Sequence, residues 1–297
     1  MKCLFCNSSK IELADLPKNR FSNILFCYFE CSACKLLFID PIPSQEVLIE
    51  MYPPSYQGSI ETEQINLNNK MPGLRFTYLE QFDLIKKYCG ISKQVLDYGC
   101  GTGHFIYNLR SSGHEISGVE FSVDTVNRLA EAMPENKFYT VIDFLRSDEK
   151  YSLIRLSNVL EHFTNPEADF KNIIDKIEVG GYVMLEGPLE KNSSLVNYFK
   201  WSYFKIRYLL NKNYVTSYAP THILFTNYKN QLAFFEKFNL ITLEYKVREN
   251  AWPYPEKLNQ INSPGTLIKY TIGILSKLFA LFIPRYGNTF LYVGRKE

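Results

Sequence analysis

The chain has 297 residues, 46% of them hydrophobic and 22% charged, with a formal net charge of +2. These values exclude collagen-like, disordered and small disulfide-stapled proteins, and they leave one large domain or about two average ones. A balance so close to neutral sets up no strong field for nucleic acid or an anionic membrane. The 21 Tyr and 22 Phe read as core and pocket walls.

The N-terminus, Met1-Lys-Cys-Leu-Phe-Cys6, has no apolar h-region, so no secretory signal is read there. The longest apolar stretch, 267–283, is interrupted by Lys269 and Lys277. As a helix it would rise ~25 Å, short of the ~30 Å hydrocarbon core. The expected location is the cytoplasm, where thiols stay reduced. The seven cysteines are then no disulfide framework. Four of them form two C-x-x-C pairs, Cys3/Cys6 and Cys31/Cys34, separated by 24 residues. That is the spacing of a four-thiolate zinc site, in which each pair forms one knuckle of a tetrahedral shell. Four thiolates leave no open position, so the zinc would be structural. A segment of ~40 residues cannot bury enough apolar surface to fold alone, and a metal supplies the missing free energy. The alternatives are reduced cysteines in a small hairpin, or a redox pair. The usual knuckle glycines are replaced by Asn7 and Lys35.

Residues 1–40 are thus expected to form a zinc ribbon, with β-rich runs at 24–30 and 35–39. Residues 41–73 form a proline-rich and then polar connector, in which Tyr52 and Tyr56 are candidates to close over a ligand. From 74 to the end, strands alternate with helices, the pattern of a parallel sheet covered on both faces. The expected strands are 94–98, 115–119, 137–141, 151–157, 182–186, 240–247 and 289–293. The expected helices are 74–88, 103–112, 122–132, one from Pro166 to Gly180-Gly181, 227–238 and 265–283. Residues 188–220 read as an insertion.

The segment Val95-Leu-Asp-Tyr-Gly-Cys-Gly-Thr-Gly103 leaves a buried strand, bends tightly and opens a helix. A doubly wound sheet binds nucleotide-like ligands at such a bend. A dinucleotide fingerprint, G-x-G-x-x-G, would need glycine at 104, where this chain has His104. Asp97, two residues before the first glycine, would repel a pyrophosphate and suits a ligand with an ammonium group.

This segment resembles motif I of class I S-adenosylmethionine-dependent methyltransferases, and Gly118-Val-Glu-Phe-Ser122 resembles their second motif. The resemblance implies a doubly wound, seven-stranded α/β sheet of Rossmann-like type with S-adenosylmethionine as cofactor. Carried over, Asp97, Tyr98, Gly99, Gly101 and Gly103 line the methionyl side. Glu120 accepts from the ribose hydroxyls, Phe121 flanks the adenine, Asp143 meets the adenine amino group, and Asn158 ends the fourth strand beside the same cleft. Cys100 reads as a small filler, His104 as a packing or capping residue and His114 as part of a surface loop.

Asn158-Val-Leu-Glu-His-Phe-Thr-Asn-Pro166 resembles a segment of the family's small-molecule branch. Methyl transfer to a hydroxyl, or to a carbon beside a carbonyl, needs a base titrating near working pH. His162 is the candidate base, with Glu161 orienting it or binding substrate. The alternative is a structural Glu-His pair that starts the next turn. His222 is a second candidate. Residues 30–43 and 51–56 resemble the N-terminal module of the sugar C-methyltransferase branch, which implies a sugar or another polysaccharide- or glycolipid-pathway acceptor.

The aromatic and basic stretch 195–210 reads as a lid or substrate-pocket wall, with partner contact or membrane contact as alternatives. On 265–283 the small and polar residues share one narrow face. Burial of the wide apolar face against the sheet is expected, with dimerisation or shallow peripheral membrane contact as alternatives. The small-molecule methyltransferase competes with two other readings: an RNA methyltransferase clamping RNA with the ribbon, and a non-catalytic scaffold. Basic and acidic residues nearly balance in 1–40, so no nucleic acid partner is expected. Monomer and homodimer both stay open.

Overall fold

The computed structural model describes residues 1–52, 76–90, 93–110 and 113–297. Residues 53–75, and with them Tyr56 and most of the expected connector, lie outside the described residues. By contact density the chain divides into two compact units. The first comprises Met1–Pro43, Pro188–Phe235 and Lys246–Phe290; the second comprises Ser44–Gly187, Glu236–Tyr245 and Leu291–Glu297.

The first unit opens with strands β1 (Ile11–Leu13), β2 (Lys18–Phe21), β3 (Ile24–Cys31) and β4 (Leu37–Asp40). β3 pairs antiparallel with β1, β2 and β4. Asn7 and Lys35, the residues in place of the knuckle glycines, have φ of 58° and 62°. Their amides close turns onto the Cys3 and Cys31 carbonyls. Asparagine visits this left-handed region readily; at Lys35 it costs roughly 1–2 kcal/mol.

In the second unit, helix α1 (Gln45–Met51) precedes α2 (Tyr78–Tyr88). A capping box between Thr77 and Glu80 starts α2. Alternation then runs β5 (Gln94–Tyr98), α3 (His104–Arg110), β6 (Glu115–Glu120), α4 (Val123–Ala132), β7 (Lys137–Thr140), α5 (Val141–Arg146), β8 (Tyr151–Ser157), α6 (Pro166–Asp175) and β9 (Ile177–Pro188). With two later strands these form a seven-stranded sheet. α6 ends at Asp175, ahead of the expected Gly180-Gly181, because Ile177 already pairs with Tyr151 and the glycines fall inside β9. α5 starts at Val141, the last residue of the expected strand 137–141, where no helix was expected. His114 is 8% exposed at the start of β6, not on a surface loop, and burial pushes its pKa down.

The remaining elements are α7 (Leu195–Leu210), β10 (Val215–Thr216), β11 (Leu224–Phe225), α8 (Tyr228–Phe235), β12 (Leu240–Arg248), α9 (Pro264–Phe282) and β13 (Thr289–Lys296). β10 pairs with β2, and β11 pairs with β4. Strands from the expected insertion and its end therefore extend the ribbon into one six-stranded sheet. Phe5 stacks on Phe234 of α8 with ring centroids 4.2 Å apart. Asn230 of α8 donates to the Cys34 carbonyl.

α9 reverses its expected orientation. Its buried residues are Gly273 and Ser276, on the narrow small-residue face, and its wide apolar face is exposed. The reason is what lies beneath it. Ser276 meets Glu249 and Tyr286, and a Cβ on Gly273 would touch the Ala251 methyl at 3.0 Å. Only a small, polar face fits there. With 19 residues, α9 is also long and apolar enough to cross a membrane by length and composition, contrary to the shorter span read from the sequence.

The seven-stranded sheet has the order β12-β13-β9-β8-β5-β6-β7. The strands β9, β8, β5, β6 and β7 are mutually parallel. β5, the first strand of this sheet in chain order, lies between β6 and β8, so the winding reverses there. A ligand crevice is expected outside the carboxyl ends of the strands at such a reversal. Replacing Phe5 with alanine removes a side chain that is 2% exposed and stacked. Chemical denaturation should show a loss of about 3–5 kcal/mol, with faster amide exchange at Cys3–Ser8 than in the rest of the chain.

Candidate active site

At the carboxyl end of β5 the backbone turns through Gly99, Gly101 and Gly103, with φ of 76°, 55° and 78°. A Cβ on Gly99 would stand 2.6 Å from Val159, and one on Gly103 would stand 2.6 Å from Leu129. The bend is therefore restricted to glycine by backbone and packing together. Cys100 is a buried filler as expected, and burial pushes its thiol pKa up. His104 is buried, with Nδ1 3.2 Å from the Thr102 hydroxyl, in a packing position.

Glu120, at the end of β6, is 6% exposed. Its Oε2 accepts from the Gly101 amide at 2.9 Å, and its Oε1 accepts from the Phe121 amide at 2.8 Å. Burial raises its pKa while these amides oppose the shift. The carboxylate thus joins the two loops that follow β5 and β6. Phe121 is half-buried beside it.

Asp97 departs from expectation. It is 1% exposed, and its Oδ1 accepts from Arg155 Nη1 at 2.6 Å. Asp97 and Arg155 are register partners on the parallel strands β5 and β8, so their side chains leave the same face. Arg155 also donates to Gln81 Oε1 at 2.6 Å and lies 3.9 Å from the Phe105 ring centroid. Burial pushes the Asp97 carboxyl up, and Arg155 opposes that shift. The structure gives this carboxylate to an internal guanidinium rather than to a ligand's ammonium group. Arg155 was missed in the sequence, where its one signal is a lone cation inside the apolar run Leu153–Leu156. Asp143 sits exposed in the first turn of α5, where its Oδ2 accepts from the Thr140 hydroxyl at 2.6 Å. Tyr98 packs edge-on against Phe144.

Beyond β8, Asn158 has φ of 52° and donates its amide to the Glu186 carbonyl. A single 3-10 turn, Leu160–His162, then carries Glu161 and His162. Glu161 is 4% exposed and His162 is half-buried. His162 Nδ1 is 2.8 Å from the Tyr52 hydroxyl, and Nε2 is 3.8 Å from Glu161 Oε1. Tyr52, just past the end of α1, also meets Phe121 at a centroid distance of 6.3 Å. Tyr52 is thus in contact with both His162 and Phe121.

In the first unit, the sulfurs of Cys3, Cys6, Cys31 and Cys34 all lie within 4.8 Å of one another. The Cys3–Cys34 and Cys6–Cys31 separations are 3.5 and 3.6 Å. Sulfurs about 2.3 Å from a tetrahedral ion would stand about 3.8 Å apart, so the four thiols fit such an ion. The hydrogen bond from Cys34 brings the Cys3 thiol down to about 5, while the same bond drives Cys34 up.

The same unit holds a cavity of about 240 Å³ walled by Tyr28, Lys200, Trp201, Phe204, His222 and Trp252 among others. α7 supplies three of these walls, Lys200, Trp201 and Phe204. Glu190 accepts from Lys200 at 2.5 Å and lies 2.7 Å from His222 Nδ1. Burial alone would raise the Glu190 pKa; Lys200 and His222 outweigh it and hold the carboxyl well below the ordinary range.

The family profile described as "Methyltransferase domain" matches residues 75–243, more than half of the chain. The chain belongs to that family. Its sheet order is that of the S-adenosylmethionine-dependent methyltransferase fold. The ubiquinone biosynthesis O-methyltransferase of Hydrogenovibrio crunogenus is 27% identical over 130 residues, 41% of this chain and 52% of that protein. The protein of the same name from Coxiella burnetii is 32% identical over 114 residues, 36% of this chain and 47% of its own length. The chain thus spans about half the length of these relatives. Among solved structures, coclaurine N-methyltransferase superposes with a TM-score of 0.47 at 16% identity, covering 86% of this chain and 82% of that one.

Two outcomes check the geometry. Arg155→Leu strands a buried carboxylate and should cost about 3–5 kcal/mol in urea denaturation. Asp97→Asn in the same chain should recover part of that loss. The stability that Glu190 adds over a Glu190→Gln variant should be fully present above its ordinary value of 4.5 and fade as pH falls below it, because the folded chain holds this group ionised to lower pH than the unfolded chain does. Thermal melts of both proteins from neutral to acid pH would measure it.

Proposed function

We propose that this methyltransferase-family chain transfers a methyl group from S-adenosylmethionine to a small molecule. We take the acceptor to be a sugar or nucleotide-sugar of a polysaccharide or glycolipid pathway. Support for the transfer comes from the glycine-only bend at Gly99–Gly103, braced by Glu120 at the winding reversal of a sheet in this family. Support for the sugar comes from the N-terminal module's resemblance to the sugar C-methyltransferase branch. A phenolic quinone precursor is the second reading, favoured by the names of the relatives over the matched stretch.

The cofactor would supply a methyl group on a sulfonium, whose bonding electrons return to sulfur as the acceptor's electron pair forms the new bond. The chain's own groups hold the reactants and take up the proton. The bare glycine bend admits the amino-acid part of the cofactor. Glu120, held by backbone amides that include those of Gly101 and Phe121, accepts from the ribose hydroxyls. Phe121 flanks the base. His162, its Nδ1 held 2.8 Å from the Tyr52 hydroxyl, takes the acceptor's proton on Nε2 in the tautomer that carries its proton on Nδ1. Glu161, beside Nε2, then stabilises the imidazolium. In the first unit, Cys3, Cys6, Cys31 and Cys34 hold one structural zinc ion, supported by the sulfur spacing.

Calorimetry with S-adenosylhomocysteine should show binding that Glu120→Ala weakens about tenfold to hundredfold; no binding by the parent chain refutes the reading. His162→Ala should lower kcat about 10²- to 10⁴-fold with cofactor affinity unchanged. Screening nucleotide-sugars, lipid-linked sugars and phenols for release of demethylated cofactor identifies the acceptor, and turnover of phenols alone replaces the sugar assignment. Elemental analysis should find about one zinc per chain, lost in Cys6→Ser with Cys34→Ser.

A further inference from the structure

The two longest helices of the first unit, α7 and α9, pack against each other. Both carry their apolar side chains outward. On α9, Leu267, Ile268, Leu275, Leu278, Leu281 and Phe282 are all exposed, Leu281 and Phe282 by 75% and 80%. On α7, Tyr198, Tyr203, Ile206, Leu209 and Leu210 are exposed. Inward, α9 offers small and polar groups. Ser276 Oγ donates to Glu249 at 2.8 Å and accepts from the Leu195 amide at 3.2 Å. A helix of a water-soluble surface normally shows the opposite polarity. An outward apolar face of this extent marks an interaction site.

The charges select the occupant. The two helices hold five Lys or Arg residues, Lys200, Lys205, Arg207, Lys269 and Lys277, and no Asp or Glu. The rest of the chain therefore carries 28 basic against 31 acidic residues. Lys200 is taken by Glu190; Lys205 and Lys269 are exposed beside the apolar face. A second copy meeting this face about a two-fold axis would set like charges against each other. An anionic lipid surface satisfies both features at once, taking the apolar side chains below its headgroups and the cations among them. The inward face of α9 is spent on Glu249, Ala251 and Tyr286, so α9 would lie in the plane of the interface rather than cross it.

We propose that the paired outward faces of α7 and α9 dock the protein on an anionic lipid bilayer. α7 turns its other side, with Trp201 and Phe204, to the cavity of the same unit. The docked face is therefore one side-chain layer from that cavity.

The test is flotation of the full chain with vesicles of phosphatidylcholine alone and of phosphatidylcholine with phosphatidylglycerol. Binding to the anionic vesicles is expected, weakened by salt. Lys205→Gln and Lys269→Gln should each lower the partition about fivefold. Leu278→Glu with Phe282→Glu should remove it. All these residues are exposed, so circular dichroism and S-adenosylhomocysteine binding should stay at parent values, which separates this result from any failure of the methyl-transfer reading. Equal or absent binding to both vesicle types overturns the proposal. So does a concentration-dependent dimer, seen by light scattering, that Phe282→Glu dissociates, because it would make the face an interface between copies.

Discussion

The head of the large sheet depends on a buried charge pair. Asp97 and Arg155 stand side by side on β5 and β8, 1% and 3% exposed, joined at 2.6 Å. Removing either partner leaves the other in a medium that solvates it poorly, so the two strands are held in register at the point where the winding reverses. Gln81 of α2 and the Phe105 face complete the guanidinium's surroundings. The bend that follows Asp97 starts from this fixed point. Glu120 then draws the loop after β6 to the same bend through the Gly101 amide. Two carboxylates thus build the crevice, one by an ion pair beneath it and one by hydrogen bonds at its rim.

The first unit is organised by different forces. Its ribbon is too small to bury a core of its own. It gains one by adding β10 and β11 to its edges and by stacking Phe5 on α8. The cysteine quartet sits at the end of this sheet, where Asn7 and Lys35 bend the backbone enough to bring four sulfurs together. The same unit encloses the Glu190 cavity and bears the two outward-facing helices. A small sheet that recruits later segments can thus support a pocket and a surface that its first forty residues could not.

Much of the second unit was legible in the sequence. The strands at 94–98 and 151–157 coincide with β5 and β8, because buried parallel strands are short, mostly apolar runs bounded by glycine or polar residues. The bend at Gly99–Gly103 was legible for a similar reason, since positive φ and close packing leave little choice of residue. The thiol quartet was readable from spacing alone. Less was legible where a side chain's partner is distant in sequence. Asp97 was read by its place before the glycines, but its partner lies 58 residues away. Tyr52 meets His162 across 110 residues. α9 was misassigned because periodicity identifies an apolar face without saying whether protein or something else covers it.

The sequence by itself determined the local chemistry: which residues bend, which alternate, which thiols share a spacing, and which short segments match the methyltransferase family. These properties depend on neighbours a few positions away, and so they survive without coordinates. The tertiary structure alone decided who meets whom. It gave the Asp97 carboxylate to Arg155, joined segments around residues 215 and 224 to the ribbon, and turned the apolar side of α9 outward. Each of these is a contact between distant parts of the chain. Such contacts are selected by shape, desolvation and charge in the assembled fold, and no local pattern encodes them.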